Sequence, residues 1–351
     1  MRPIPICSLV LLLLCAHLQA CPTACRCTNP ASILTMDCSD GGLLTLPQGI
    51  PRDVEVLILK SNLLDHLPKS AFQNFTKLQA LHLQKNKLES IEEDLFAPLS
   101  ELTSLYLYSN HLAHLPDGIF QPLHKLERLF LSSNKLSSFS DALFSPLPRL
   151  KTLNLAHNKL ESLSPDSFLH LQSLTVLSLS SNSLLSLPPG LFRGLVSLSV
   201  CALYDNQLTH IPDVLFQGLH NLSWLTLANN SLQQLPQGLL RQPGLQHLYL
   251  YNNKLRTIKT EGMEDPTQLK TVDLRGNQLE TLPAGTFKNS PDLKTIRLQG
   301  NPWRCDCNIR YLQRWLTRNR ELIKDRPLCE TPPAVHGQPL TDIPEAYFSH
   351  C

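Results

Sequence analysis

Aromatic residues make up only 6% of this 351-residue sequence, although 42% of it is hydrophobic. A core of ordinary size must therefore be filled by aliphatic side chains. Charge of one sign is also lacking, since 31 Lys and Arg stand against 29 Asp and Glu for a formal +2. That balance argues against a nucleic-acid partner and against an acidic solvating tail. Apolar residues recur regularly through the chain, which argues against disorder. Catalytic signatures are missing as well. There is no HExxH, no GxSxG and no Gly-rich phosphate loop, and the 13 His are scattered. Neither an enzyme nor a bound cofactor is expected.

After residue 20 no apolar run is long enough to cross a bilayer, and no hydrophobic tail follows Cys351. Residues 1–20, MRPIPICSLVLLLLCAHLQA, place Arg2 ahead of an apolar run from Ile6 to Ala16 and end on Ala20. This is the layout of a secretory signal peptide, too short for a membrane span. The tetrad LQAC also fits a lipoprotein signal at Cys21, but that cysteine belongs to a group described below. The expectation is a secreted chain without membrane insertion.

What the sequence does contain is a repeat. Asn62, Asn86, Asn110, Asn134, Asn158, Asn182, Asn206 and Asn230 are spaced by 24 residues, and Asn253, Asn277 and Asn301 continue the series after one repeat of 23. Most close a phrase of the form L-x-L-x-x-N-x-L, as in LHLQKNKL, LYLYSNHL and LNLAHNKL. Ten residues after each of the first seven comes Phe72, Phe96, Phe120, Phe144, Phe168, Phe192 or Phe216; Leu240, Met263 and Phe287 then hold that place. In L-x-L the leucines point one way and the x residues the other, the period of a short strand. A buried Asn amide has both donors and an acceptor for backbone groups left unpaired where the chain turns away. The Phe residues fill the far side of each coil. One repeat cannot bury its own leucines, but stacked repeats can.

These motifs, from Leu57 to Asn301, resemble the 24-residue leucine-rich repeats common in extracellular proteins. The resemblance implies an α/β solenoid: a leucine-rich repeat horseshoe with a parallel sheet on its concave side. Eleven strands at roughly 4.8 Å spacing would span on the order of 50 Å. The expected organisation is a signal peptide at 1–20, an N-terminal cysteine cap at 21–50, repeats at 51–301 and a C-terminal cysteine cap at 302–351.

Eleven cysteines are present, with Cys7 and Cys15 in the leader. Cys21, Cys25, Cys27 and Cys38 precede the repeats; Cys305, Cys307, Cys329 and Cys351 follow them. Two groups of four in an exported chain point to disulfides, with three pairings possible in each. No His lies at ligand spacing, so a metal site is not expected. Both groups resemble the disulfide caps of extracellular leucine-rich repeat proteins. That resemblance implies Cys21–Cys27, Cys25–Cys38, Cys305–Cys329 and Cys307–Cys351. The second cap opens NPWRCDCNIRYLQRWL, in which Ile309, Leu312, Trp315 and Leu316 share one helical face. From Arg304 to Arg326 there are seven basic and three acidic residues, and a solvated helix face is preferred there over glycosaminoglycan binding. Cys201, in VCALYDN, holds a leucine place and is expected to be a buried free thiol.

Binding residues are sought at the outward strand positions, six, four and two residues before each Asn. Five of the seven Tyr sit there: Tyr106, Tyr108, Tyr204, Tyr249 and Tyr251. They form two groups. The first is His82, Tyr106, Tyr108, Arg128 and Phe130; the second is Tyr204, Trp224, His247, Tyr249 and Tyr251. Between them lie small side chains, among them Ala156, Ser178 and Ser180. Rings on a rigid, solvent-facing sheet are typical interface anchors. Asn74, Asn221 and Asn229 begin glycosylation sequons. The first two fall outside the strand by register; Asn229 falls at a strand end, where a glycan would crowd the second group.

The expectation is a secreted, non-catalytic glycoprotein that binds an extracellular protein on its concave sheet. Among capped families it resembles leucine-rich alpha-2-glycoprotein, the β-type snake serum inhibitors of phospholipase A and the regulatory subunit of carboxypeptidase N. The last two imply a partner that is a secreted enzyme, covered or carried. The alternative is capture of a growth factor or cell-surface receptor by a signalling or matrix protein.

Overall fold

The computed structural model describes residues 21–29, 32–259 and 268–351; the leader at 1–20 and Met263 lie outside the described residues. One sheet of thirteen strands runs the length of the molecule in chain order. Its strands are β1 (Arg26–Thr28), β2 (Thr35–Asp37), β3 (Val56–Ile58), β4 (Ala80–His82), β5 (Ser104–Tyr106), β6 (Arg128–Phe130), β7 (Thr152–Asn154), β8 (Val176–Ser178), β9 (Val200–Ala202), β10 (Trp224–Thr226), β11 (His247–Tyr249), β12 (Thr271–Asp273) and β13 (Thr295–Arg297). β1 pairs antiparallel with β2, and β2 onward are parallel.

Each repeat strand is three residues long, and its central residue faces the core. Leu57, Leu81, Leu105, Leu129, Leu153, Leu177, Cys201, Leu225, Leu248, Val272 and Ile296 lie in one row, each at most 1% exposed. Cys201 carries a free thiol there, and burial pushes its pKa up to about 12. The expected eleven strands become thirteen because the N-terminal cap joins the sheet. Met36, fully buried between Thr35 and Asp37, takes a leucine place and pairs with Leu57.

The Asn column works as a ladder. Asn158 donates through Nδ2 to the carbonyls of Leu131 and Leu155, both at 3.0 Å, while its Oδ1 accepts from Leu136 N–H at 3.1 Å. The same three hydrogen bonds recur from Asn86 to Asn301 in the described turns. Each Asn therefore ties its own turn to the preceding one and satisfies groups that would otherwise be buried unpaired. The residue before it takes a left-handed conformation, with φ between 52° and 60° at Ser61, Lys85, Ser109, Ser133, His157, Ser181, Asp205, Asn229 and Asn252. Gly276 continues that column, and a Cβ there would lie 2.3 Å from Asn252 Oδ1.

The Phe column forms a second spine. Phe120, Phe144 and Phe168 follow one another at centroid distances of 6.2 and 6.3 Å. It ends where Phe287 meets Trp315 of the C-terminal cap at 5.1 Å. Trp315 belongs to α1 (Arg310–Arg318), the one α-helix among the described residues. Ile309, Leu312 and Leu316 are fully buried, so the helix packs by the face its apolar spacing defines.

The last sheet edge is sealed by irregular chain. Lys324 N–H donates to the Ile296 carbonyl at 3.1 Å, and Asp325 Oδ2 accepts from Leu298 and Gln299 N–H at 2.7 and 2.8 Å. Such sealing removes an open edge and exposed leucines together. Disulfides join Cys21–Cys27 and Cys25–Cys38 at one end, and Cys305–Cys329 and Cys307–Cys351 at the other. The cap helix is less basic than its own sequence indicates. Glu345 pairs with Arg310 at 3.0 Å and also with Arg314, and Asp342 lies 3.6 Å from Arg320.

Candidate ligand-binding face

Alternation along each three-residue strand turns the residues flanking the central one away from the core. Parallel, in-register pairing then sets equivalent residues of adjacent turns side by side. His82, Tyr106 and Phe130 are such a row, on β4, β5 and β6. Their rings stack: His82 to Tyr106 at 4.2 Å and 11°, Tyr106 to Phe130 at 5.0 Å and 6°. Burial, helped by the charge of Lys60, holds the His82 pKa below the usual histidine value. Its Nδ1 lies 3.3 Å from Gln84 Nε2, and the Gln84 Oε1 is buried without a partner. Arg128 is exposed, with its Nε donating to Ser104 Oγ at 3.0 Å.

The second group crosses rows instead of following one. Trp224, 38% exposed, contacts both His247 and Tyr249 at 4.9 Å. Burial pushes the His247 pKa down, with Lys270 adding to the effect, and pushes that of Tyr249 up. Tyr251 lies beneath the Arg275 guanidinium, 5.7 Å from ring to Cζ, within reach of a cation–π attraction.

Two tyrosines of these groups stand apart from the ring contacts. Tyr204 makes no ring contact among the described residues, because the equivalent places in the adjacent turns hold Ser180 and Ala228, too small to reach it. Tyr108 likewise has no ring contact among the described residues, lying between Gln84 and Ser132. Nor does an outward position guarantee exposure. Ser180 is 0% exposed and Ala156 5%, so the small-residue stretch between the groups is partly closed to solvent.

Three functional candidates went unnoticed in the sequence: Asp273, Arg275 and Arg297. Asp273 is fully buried, yet Arg275 grips it through Nε at 2.9 Å and Nη2 at 2.6 Å, with Arg297 Nη1 at 3.4 Å. The signal that finds the tyrosines would have found these too, since all three occupy outward positions four or two residues before an Asn of the column.

Asn74 and Asn221 are exposed and lie outside the strands. Asn229 is half-buried, and its Oδ1 accepts from Asn252 Nδ2 at 2.9 Å. Among the described residues one cluster, Cys307, His350 and Cys351, has the spacing to hold a metal, but its two sulfurs are joined as a disulfide. No helix among the described residues is long and apolar enough to cross a membrane.

Comparison with known proteins agrees with this architecture. The leucine rich repeat family matches residues 52–112, 100–160, 148–203, 202–255 and 243–302. The chain belongs to the leucine-rich repeat family. Over 75 residues, 21% of the chain, it is 41% identical to human Leucine-rich repeat-containing protein 3. Over 65 residues, 18% of the chain, it is 40% identical to the human Insulin-like growth factor-binding protein complex acid labile subunit. These segments cover 29% and 11% of the two relatives' own length. Among solved structures it resembles a chain of the octameric complex of Latrophilin 3 (Lec, Olf), Unc5D (Ig, Ig2, TSP1) and FLRT2 (LRR). There the TM-score is 0.78 at 26% identity, over 94% of this chain and 99% of that one.

Proposed function

We propose that this chain is an extracellular, non-catalytic binding protein that holds a protein ligand against its concave strand face. One observation carries the proposal: rings are held in contact with one another on the outward positions of the sheet, where the solenoid core does not need them. The rings of His82, Tyr106 and Phe130, and those of Trp224, His247 and Tyr249, already pack against one another within the chain. Aromatic anchors fixed in advance bury large area at little entropic cost on binding. Disulfides at both ends and the N-terminal leader support a secreted protein. Sequons at Asn74 and Asn221, off the strands, support a glycoprotein whose glycans leave the face clear.

The ligand we put first is a secreted enzyme of phospholipase or carboxypeptidase type, inhibited or carried. Its support is the family resemblance of the capped repeats. The second reading, capture of a growth factor or a cell-surface receptor, is favoured by the names of two matches, a growth factor-binding protein complex subunit and a multi-protein complex containing FLRT2 (LRR).

The test is a pull-down from plasma or venom with the secreted protein, beside a variant with Tyr106, Tyr108, Tyr249 and Tyr251 changed to Ser. Mass spectrometry identifies what each retains. An enzyme lost by the variant supports the first reading, and a growth factor or receptor lost in the same way supports the second. Identical retention by both proteins removes the strand face as the site.

A further inference from the structure

Charge on the strand face is one-sided where it meets solvent. Over the three outward positions of all eleven repeats, Lys60, Arg128, Arg275 and Arg297 stand against a single acid, Asp273. That acid is 0% exposed, whereas the Arg275 and Arg297 side chains keep 41% and 37% of their surface. Beyond the repeats, Asp37 of β2 stands at the far end, in the field of Lys60 and Arg26.

The two C-terminal guanidiniums are fixed differently. Arg275 is held on Asp273 by both Nε and Nη2 and lies over Tyr251. Arg297 has one polar contact among the described residues, Nη1 to Asp273 Oδ2 at 3.4 Å, which leaves most of its five donors unspent there. It shares a strand row with Tyr249 and Asp273. The other acid nearby, Asp325, spends its Oδ2 on the N–H groups of Leu298 and Gln299. Two acids, Asp273 and Asp325, the first fully buried, thus lie beneath two guanidiniums that carry the solvent-facing charge beside an aromatic wall.

We infer that the C-terminal half of the strand face takes an acidic peptide segment of the ligand, with a carboxylate on the free fork of Arg297 and neighbouring side chains against Tyr249 and Trp224. This rests on the ligand-binding role proposed for the face. A planar guanidinium with parallel donors matches a carboxylate in two hydrogen bonds. A sulfated polysaccharide fits less well. It needs a dense basic run, and here two guanidiniums are partly offset by Asp273 while Arg310 and Arg314 of the cap are paired with Glu345.

The probe is an immobilised random copolymer of glutamate and tyrosine, with heparin and polylysine beside it, read by surface plasmon resonance at low and at moderate salt. The full chain is compared with Arg297→Gln, which leaves the Arg275–Asp273 pair intact, and with Arg297→Lys. Unfolding midpoints verify that each variant is folded. Expected is saturable binding of the copolymer that weakens with salt and falls at least about tenfold in Arg297→Gln. Arg297→Lys, which keeps charge but not the fork, should lie between the two. Failure of the native chain to bind the copolymer overturns the inference, as does equal binding by Arg297→Gln. Heparin bound more tightly than the copolymer, and equally sensitive to Arg297→Gln, overturns it too, in favour of a generic polyanion site. If the four-Tyr variant loses its plasma ligand while Arg297→Gln still binds the copolymer fully, only this inference fails. If the four-Tyr variant keeps that ligand, the functional proposal fails, and the copolymer comparison still decides the acidic-segment site.

Discussion

The interior columns and the strand face share one period but differ in what is repeated along it. Inside, each turn meets a copy of itself, so the same side chain solves the same contact every time. Phe120, Phe144 and Phe168 are spaced almost identically, and each Asn makes the same three bonds. On the face, no contact within the solenoid dictates the residue, and each turn differs: Tyr106 is followed in its row by Phe130, then Asn154, then Ser178. Repetition in a solenoid marks packing. Departure from repetition, when it is grouped, marks a surface selected for something outside the chain.

Substitutions should separate the two regions cleanly. The largest effect is expected for Phe144→Ala, which opens a cavity between Phe120, Phe139 and Phe168 and should cost about 3–5 kcal/mol in chemical denaturation. The fraction that remains folded should bind ligand as before. A loss under about 1 kcal/mol would mean that the column is loosely packed and the contrast overdrawn.

Asn158→Ala comes next. It strands the N–H of Leu136 and takes one of two amide donors from each of the Leu131 and Leu155 carbonyls, which keep Asn134 and Asn182, at a cost of about 2 kcal/mol. Asn158→Asp sharpens the point. It keeps an acceptor for Leu136 but loses both donors, so hydrogen exchange should accelerate on either side of that turn.

On the face, Tyr106→Ala should cost only about 1 kcal/mol, the worth of the two ring contacts it removes. Its effect should appear in ligand capture instead. A variant that lost stability on the interior scale would erase the distinction between the regions.

Cys201 tests the interior by chemistry. With its pKa pushed up to about 12 and no exposure, the thiol should resist alkylation at pH 8 in the native protein and react after denaturation without reductant. Ready labelling of the native protein would show that the leucine row opens at that turn.

The smallest effect belongs to neither region. Hydrogen bonding and charge from Arg314, with Arg310 adding to it, hold the Glu345 carboxyl down to about 2, below its ordinary 4.5. A depressed acid stabilises the fold above its unfolded pKa, and that contribution fades as pH falls through the folded value. The melting temperature of Glu345→Gln should therefore lie slightly below that of the native chain above about pH 4.5. The gap should close toward pH 2. A gap that persisted at pH 2 would mean that Glu345 acts through packing rather than charge.

Much of this molecule could be read from its residues because contacts between turns recur at a fixed separation. Spacing in the sequence alone determined the leucine row, the Asn ladder, the Phe spine and the outward strand positions, since a repeat of 24 residues leaves each side chain one neighbour on either side. Only the tertiary structure decided the contacts that obey no period. β1 and β2 lengthen the sheet because Met36 drops into the leucine row. Asp325 reaches back 27 residues to cap the last strand, and Glu345 reaches 35 to pair with two of the three arginines of a helix that looks basic in isolation. Exposure within the face was decided there as well. Trp224 and Ser180 both occupy outward positions, yet one stands 38% exposed and the other is fully covered. Register says which way a side chain points; the size and charge of its neighbours across the sheet say whether solvent, or a ligand, can reach it.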